Sequence, residues 1–311
     1  MAVVQTQRLS RGERREVLAG LLFISPWIIG FLAFTFYPMA KALYYSFTNY
    51  NLLQPPTWVG LGNYTTAFTG DPLFWQSLGN TVIYALLTLI PGTAFSIGLA
   101  LLLDAKVRGQ SVFRVIYFMP TVLPLVATSI VWGWILDPQY GYLNGILHAI
   151  GVAHPPGWLA DPNWTKPAFA LMSIWGVGQA IVIYLAALQG VPSHLLEAAE
   201  LDGAGPIRRF WHVTLPMISP AVLFNVVLGL IGTFQFFTQP FVLEGGQTGA
   251  PFGGPLQSAL FYSPYLWQNA FQSFKMGYAS ALAWILFVVI LLCTVVVLRL
   301  SRSRVYYEEG A

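Results

Sequence analysis

A polar stretch between two long apolar segments carries the residues best suited to contact another protein. An acidic side chain stands directly before two alanines, so a helix built from them is thin enough to enter a groove and pair with a basic group there. The candidate contact residues are Glu197, Ala198, Ala199, Asp202, Gly203, Leu215 and Pro216. This stretch therefore predicts a docking surface for another protein.

Turn-forming residues divide the same stretch, 191–216, into two short helices. Ser193 is a candidate N-cap for a helix over 194–201, and Gly203 is placed to end it. Pro206 can open a second helix, and Pro216 is expected to end the unit where the next apolar segment begins. The sequence therefore predicts a helix–turn–helix that is exposed to solvent.

Amide and aromatic side chains recur inside two apolar segments. The two sets are Asn225, Gly229, Gly232, Gln235, Phe236 and Gln239, and Met172, Trp175, Gly176 and Gln179. Their spacing predicts that each set occupies one helical face. Two interpretations stay open: close packing of helices through small residues and amides, or a water-lined path for a polar solute. The candidate path residues are Trp175, Gln179, Asn225, Gln235 and Gln239.

Residues for catalysis, for metal binding and for nucleotide binding are not apparent in the sequence. The chain has four scattered histidines and one cysteine, Cys293, which lies in an apolar run. It has no Gly-x-x-x-x-Gly-Lys-[Ser/Thr] loop, no Gly-x-Ser-x-Gly and no His-Glu-x-x-His. We expect no bound cofactor, no metal site and no enzymatic activity on this chain.

The composition places these residues in a membrane protein. Of the 311 residues, 56% are hydrophobic and 9% are charged, with a mean hydropathy of +0.63, whereas soluble domains carry about 25% charge. A spanning helix needs about 20 apolar residues, which predicts an all-α fold with six transmembrane helices. The expected spans are 17–38, 80–103, 113–136, 167–190, 217–243 and 275–298.

The distribution of basic residues predicts the orientation. Of the 15 Lys and Arg residues, only Lys41, Lys166 and Lys275 fall on one side of the six expected spans, and the other side is the cytoplasmic one. Both termini are then cytoplasmic. The expected division is a cytoplasmic segment 1–16, a membrane domain 17–300 that contains the loop 191–216, and a cytoplasmic tail 301–311.

The stretch from Glu197 to Pro216 resembles the EAA loop of binding-protein-dependent ABC importers. It reads Glu-Ala-Ala-x-x-Asp-Gly, nine residues, Val-Thr-Leu-Pro, against Glu-Ala-Ala-x-x-x-Gly, nine residues, Ile-x-Leu-Pro, so that Val213 replaces the usual Ile. Shorter motifs resemble the maltose and glycerol-phosphate permease group and lie at 60–64, 113–120, 141–144, 158–162 and 277–281. The Gly/Pro-rich insert 245–256 departs from that group.

The resemblance implies a permease subunit in a prokaryotic plasma membrane that forms half of a sugar path. The implied partners are a second homologous permease, two nucleotide-binding ATPase subunits, an extracytoplasmic solute-binding protein, the sugar and the lipid bilayer, with no nucleic acid. ATP and Mg would bind the ATPase subunits, which the EAA loop would contact. The alternatives are an ABC permease for another solute and a self-sufficient secondary carrier, although the expected spans lack the membrane-embedded acid that many ion-coupled carriers use.

Overall fold

A computed structural model describes residues 11–105, 109–245, 252–302 and 305, and most of these residues are helical. The α-helices are α1 (Arg11–Phe31), α2 (Tyr37–Ser46), α3 (Gly62–Thr65), α4 (Pro72–Asp104), α5 (Gln110–Val122), α6 (Leu125–Ile135), α7 (Tyr142–Ala149), α8 (Pro162–Trp175), α9 (Gly178–Gln189), α10 (Ser193–Leu201), α11 (Pro206–Arg209), α12 (Leu215–Phe234), α13 (Thr238–Glu244), α14 (Tyr262–Trp267) and α15 (Met276–Ser301).

Short elements of other types join these helices. The π-helical turns are Leu32–Phe36, Thr66–Gly70, Phe210–Thr214 and Gln268–Gln272, and the 3-10 turns are Trp158–Ala160 and Pro255–Gln257. The two-residue strands β1 (Thr48–Asn49) and β2 (Thr57–Trp58) pair antiparallel.

Four helical stretches are long and apolar enough to cross a membrane, and the number is six when each of two bent helix pairs counts as one span. This agrees with the predicted all-α membrane fold. The four are Arg15–Ser46, Pro72–Asp104, Pro206–Glu244 and Met276–Ser301. The expected boundaries at residues 16 and 300 stay predictions, and the ends of the flanking segments, 1–10 and 306–311, lie outside the described residues.

Two spans are longer than the sequence indicated, because helices continue past the apolar run into the polar region. The first reaches Ser46 rather than residue 38, and the second begins at Pro72 rather than residue 80. Asp71 caps the second, since its Oδ1 accepts a hydrogen bond from the Leu73 amide at 3.0 Å. The start signal is therefore Asp71-Pro72, an N-cap followed by proline at the first helical position.

The third and fourth spans, expected over 113–136 and 167–190, are each broken into two helices. Helices α5 and α6 meet at 102°, because Leu123 precedes Pro124 and adopts an extended conformation with ψ 139°. Helices α8 and α9 meet at 50° around Gly176 and Val177, where no proline imposes the break.

The fifth span starts earlier than expected and is interrupted before its end at Glu244. The chain is helical without interruption from Pro206 through the π-helical turn Phe210–Thr214 to Phe234, so Pro216 lies inside a continuous helix and does not end the unit. The wider π turn precedes the proline ring and accommodates it. Residues 235–237 are not helical, so the six residues from Asn225 to Gln239 do not share one helical face.

Helix α4 is the centre of the bundle and packs against α8, α9, α12 and α14. One buried cluster joins α4, α9 and α12 around Tyr184 and Ile218, and a second gathers aromatic rings around Phe236. The first span contrasts with them, since none of its most apolar 18-residue window is buried.

Candidate functional site

The loop after α9 folds into two helices joined by a tight turn. The first, α10, begins at Ser193, and Pro192 occupies the cap position with ψ 126°. The Ser193 side chain makes no capping hydrogen bond, so the expected N-cap at Ser193 is wrong by one residue. The extended backbone of Pro192 starts the helix, and its carbonyl accepts a hydrogen bond from the Leu195 amide at 3.2 Å.

Gly203 ends α10 in a left-handed conformation with φ +79°. The Gly203 amide donates to the Glu200 carbonyl at 3.0 Å, and the Ala204 amide donates to the Ala199 carbonyl at 2.9 Å. This pair of bonds is a Schellman motif, in which the residue after the C-cap takes a positive φ that glycine adopts most readily. The glycine six residues after Glu197 therefore has a backbone role: it reverses the chain into α11.

The acidic residues of this unit differ in their partners. Glu200 pairs with Arg209 of α11 at 2.6 Å, which ties the two helices together. Glu197 is exposed and forms no salt bridge within the part of the chain that the structure describes. Ala198 and Asp202 are exposed and Ala199 is half-buried. The structure thus leaves Glu197 available to a group from another molecule.

Three large apolar side chains stand out from the same unit and were not identified from the sequence. Leu201 is 90% exposed, Ile207 is 77% exposed and Trp211 is 59% exposed. Aromatic and aliphatic side chains of this kind supply the anchors of protein interfaces. All three lie outside the expected spans, which is the signal in the sequence that they could be exposed. Spacing alone does not reveal that all three face solvent.

Leu215 and Pro216 lie further in, at the start of α12. Leu215 packs with Phe210 against the cluster of Tyr184, Leu188 and Ile218, and Pro216 is half-buried. These two residues attach the exposed unit to the bundle and do not form part of its outer surface.

Two of the predicted path residues line one cavity of about 300 Å³ between α4, α9 and α12. Gln179 and Asn225 face it together with the hydroxyl-bearing residues Thr88, Thr93, Ser96, Tyr184 and Thr233. The Asn225 Nδ2 donates to the Ala221 carbonyl at 3.0 Å, which fixes the orientation of the amide. The threonine, serine and tyrosine residues were not identified as path residues from the sequence, because no spacing brings three helices together.

The other three predicted path residues lie elsewhere. Trp175 stacks edge-on against Trp132 at 5.9 Å between ring centroids and lines a separate apolar cavity of about 330 Å³. Gln235 is exposed at the non-helical break after α12, and Gln239 is buried in α13. The break at residues 235–237 separates both from Asn225.

The interruption between α8 and α9 borders the same cavity as Gln179 and Asn225, since Gly176 and Val177 are part of its wall. Irregular backbone at membrane depth is tolerated only where protein covers it or where it lines a cavity. Interrupted helices that border a cavity near the middle of a bundle are also a recurring construction of transport sites. The broken helix and the cavity are thus parts of one arrangement, in which amide and hydroxyl groups lie among apolar side chains.

Among the residues that the structure describes, no group of three or more His, Cys, Asp and Glu side chains is arranged to hold a metal ion. The absence of a cofactor on this chain stays a prediction.

Comparison with known proteins defines the class of protein to which this architecture belongs. Residues 92–305 match the model of the binding-protein-dependent transport system inner membrane component. The chain belongs to this family of membrane transport proteins. The resemblance seen in the EAA pattern is confirmed at this level.

Individual relatives match almost the whole chain. It is 39% identical over 301 residues to the probable ABC transporter permease protein YesP of Bacillus subtilis, covering 96% of each protein. It is 34% identical to the sulfoquinovosyl glycerol transport system permease protein SmoG of Agrobacterium fabrum, covering 96% of this chain and 94% of SmoG. A chain of a bacterial alginate ABC transporter has the same fold, with a TM-score of 0.80 at 24% identity over 96% of this chain and 98% of that one.

The left-handed turn can be tested directly. Gly203→Ala places a Cβ where no atom lies within 4 Å, so the only cost is the positive φ, about 1–2 kcal/mol. We expect local opening, and cleavage after Glu200 by a Glu-specific protease in detergent, to rise about 5- to 30-fold. Gly205→Ala is the matched control, because Gly205 has φ −67° and equally open surroundings. Equal cleavage rates in the two variants would contradict the role of Gly203.

Proposed function

We propose that this chain is a transmembrane subunit of an ATP-driven importer of sugars or sugar-derived solutes, and that it forms half of the translocation path. The observation that carries the proposal is the family match together with near full-length similarity to a permease for sulfoquinovosyl glycerol, a sugar glycoside. The chain then acts in transport and is not itself an enzyme, and separate subunits hydrolyse ATP.

The proposed orientation places both termini and the α10–α11 unit in the cytoplasm of a prokaryotic cell. Its support is the position of the basic residues relative to the helices. Lys41 lies in α2, near the end of the first span, and Lys275 lies directly before α15. Arg208 and Arg209 lie in α11, and Arg299 lies in the last turn of α15. Successive spans alternate in direction, so the two lysines and the three arginines lie at opposite ends, and the arginine-rich end is cytoplasmic by the positive-inside rule.

The α10–α11 unit is proposed to dock into a groove of an ATPase subunit. Three properties support this: exposed Leu201, Ile207 and Trp211 provide apolar anchors, the exposed Glu197 carboxylate provides a charge, and the Schellman turn holds the two helices in a fixed relation. A few buried anchors carry most of the binding energy of a protein interface, and complementary charges fix its register and its choice of partner.

The cavity at Gln179 and Asn225 is proposed as part of the solute path. Amide and hydroxyl groups at its wall can satisfy the hydroxyls of a sugar. Trp175, Gln235 and Gln239 stay predicted path residues. These three residues would line the path in a different conformation of the chain, or in a larger path that a second subunit completes.

A second homologous permease is proposed to complete the path. The support is the first span, whose apolar side chains are turned away from the rest of the chain: Phe23 is 93% exposed and Trp27 is 69% exposed. Apolar surface of this kind is covered by lipid or by another membrane helix. An extracytoplasmic solute-binding protein is the remaining partner, in keeping with the name of the family.

The orientation predicts opposite labelling of two single-cysteine variants in a Cys293→Ser background. Thr57→Cys should react with a membrane-impermeant maleimide added to intact spheroplasts, and Ser193→Cys should react only after the membrane is opened. Both positions are exposed, so a difference in their labelling reports the side of the membrane on which each lies. The reversed pattern would invert the proposed topology.

Glu197→Lys is expected to uncouple the subunits. Loss of a desolvated interfacial charge pair costs about 2–5 kcal/mol, or about 30-fold or more in affinity, and lysine adds repulsion toward a basic groove. We expect loss of binding-protein-stimulated ATPase activity and of co-purifying ATPase subunits, with a milder effect for Glu197→Ala. Glu16→Lys, the same charge change at an exposed position of α1, is the control. Normal stimulation and normal subunit recovery in Glu197→Lys would exclude this role.

The path predicts that Gln179→Leu and Asn225→Leu weaken transport without loss of expression. An unpaired sugar hydroxyl costs about 1–3 kcal/mol, or about 5- to 150-fold in the apparent affinity for uptake. Uptake is measured with the sugar found by a ligand screen on the cognate binding protein, and protein amount by immunoblot. Gln235→Leu tests the predicted path residues that lie outside the cavity. Normal uptake in both cavity variants, with a defect in Gln235→Leu, would place the path outside this cavity.

A further inference from the structure

A second polar cavity, of about 570 Å³, lies at the end of the bundle opposite the α10–α11 unit. Its wall comes from residues near β1, from the start of α4, from α14 with the π-helical turn Gln268–Gln272, and from the start of α15. Helices α4 and α15 both begin here, whereas α9 ends at the α10–α11 unit. The proposed orientation therefore places this cavity outside the membrane, where a solute arrives.

Close contact between β1 and α15 builds one side of the cavity. The Gly277 amide donates to the Tyr50 carbonyl at 3.0 Å, and a Cβ on Gly277 would lie 2.0 Å from the Thr48 carbonyl oxygen. Only glycine allows this approach. The Asn63 Nδ2 donates to the carbonyls of Ser46 at 2.8 Å and Thr48 at 2.9 Å, which leaves the Asn63 side-chain oxygen as the remaining acceptor of that amide.

A carboxylate joins three helices on the other side. Asp71 caps α4 through its Oδ1, and its Oδ2 accepts hydrogen bonds from the hydroxyls of Tyr265 in α14 and Tyr278 in α15, the latter at 2.6 Å. Burial raises the pKa of Tyr265 to about 12, so its hydroxyl stays protonated and donates. These bonds hold the wall in place before any ligand binds, which lowers the entropic cost of binding.

The groups that face this cavity suit a polyhydroxylated ligand. The polar residues on its wall include Asn49, Asn63, Gln268, Asn269, Ser273 and Lys275. Within the described residues, the side chains of Gln268, Ser273 and Lys275 make no hydrogen bond to the rest of the chain. Amides and hydroxyls both donate and accept, as sugar hydroxyls do. Tyr50 adds an aromatic ring of the kind that covers an apolar sugar face.

We infer that this extracytoplasmic cavity is a carbohydrate-binding site of the permease, distinct from the membrane cavity at Gln179 and Asn225. Its volume lies within the range of about 300–1,000 Å³ of small-molecule sites and accommodates roughly two or three sugar rings. The choice of ligand rests on the proposed import of sugars. The site receives part of the solute before the solute enters the membrane.

A peptide loop of a binding protein is the competing occupant, and the composition of the wall disfavours it. Protein interfaces are anchored by apolar and aromatic side chains that enter apolar pockets. Among the described residues that line this cavity, Leu73 is the sole aliphatic one, and the hydroxyls of Tyr265 and Tyr278 are already committed to Asp71. A wall lined mostly by amide, hydroxyl and charged side chains, with rings but one aliphatic side chain, fits a sugar better.

The test measures sugar binding to the permease purified with its partner subunits in nanodiscs, without the binding protein. The probes are lactose, raffinose and sulfoquinovosyl glycerol, and binding is measured by calorimetry and saturation-transfer NMR. We expect at least one probe to bind. Gln268→Ala and Lys275→Ala should each weaken it at least about 5-fold, and Ser273→Trp should abolish it by filling the cavity. Gln272→Ala, an exposed position of the same π-helical turn that does not line the cavity, should bind as the unmodified protein does.

The outcomes separate this inference from the proposed function. If no probe binds, or if Ser273→Trp binds every probe normally, the inference is overturned. It is also overturned if Ser273→Trp abolishes stimulation by the binding protein while no probe binds directly, since the cavity then receives protein. Asn225→Leu should impair uptake and leave binding at this site intact. Binding of a probe by the complex, with no uptake of any sugar by whole cells, would support this site and exclude sugar import.

Discussion

The structure depends on the requirement that every backbone N–H and C=O within a bilayer find a partner inside the protein. Long helices satisfy it, and α4 and α15 do so without interruption. Two departures from helix lie against a cavity or an aromatic cluster. Gly176 and Val177 lie at the wall of the cavity at Gln179 and Asn225, and Phe236, in the break after α12, is buried with its ring stacked on Tyr84 at 4.2 Å. The break between α5 and α6 differs, since Leu123 and Pro124 are exposed within this chain.

Sequence patterns predicted the elements whose causes are local. Apolar length gave the membrane helices, and the spacing from Glu197 to Gly203 gave a helix that a left-handed glycine ends, since both depend on neighbouring residues. Pro124 also carries a local signal for the break in the third span, which the sequence analysis did not use. The Ser193 cap failed for a similar reason, because the extended backbone of Pro192 starts the helix one residue earlier.

Elements that depend on tertiary packing were not predictable. The C-cap of α12 is Gln235, which is not a helix-ending residue type. The helix ends at Phe234 because Phe236 packs among Tyr84, Phe169 and Phe261 from other parts of the chain. The separation of Gln235 and Gln239 from Asn225 follows from that packing. The hydroxyl groups beside Gln179 come from α4 and α12, and the outer cavity is assembled from segments about 200 residues apart, such as Asp71 and Tyr278. A single helical periodicity contains no information on such encounters.

The cluster around Tyr184 connects the two regions to which function is assigned. Tyr184 borders the membrane cavity and belongs to the same buried cluster against which Phe210 and Leu215 pack. Close-packed interiors are hardly compressible, so a displacement of α11 is passed to the side chains at the cavity without an intervening flexible loop. The uninterrupted helical chain from Pro206 to Phe234 provides the same connection along the backbone.

The first span has a different consequence, which concerns the life of the chain before assembly. A helix with no buried residue in its apolar window adds little to the folding free energy of its own polypeptide. Its tilt and rotation are set by whatever neighbours surround it. If the proposed second permease packs on this span, the stability that the span gains from it follows mass action. An excess of this chain over that subunit then leaves a population whose first helix contacts only lipid, so the balance of synthesis between the two subunits would set how much of the chain is supported.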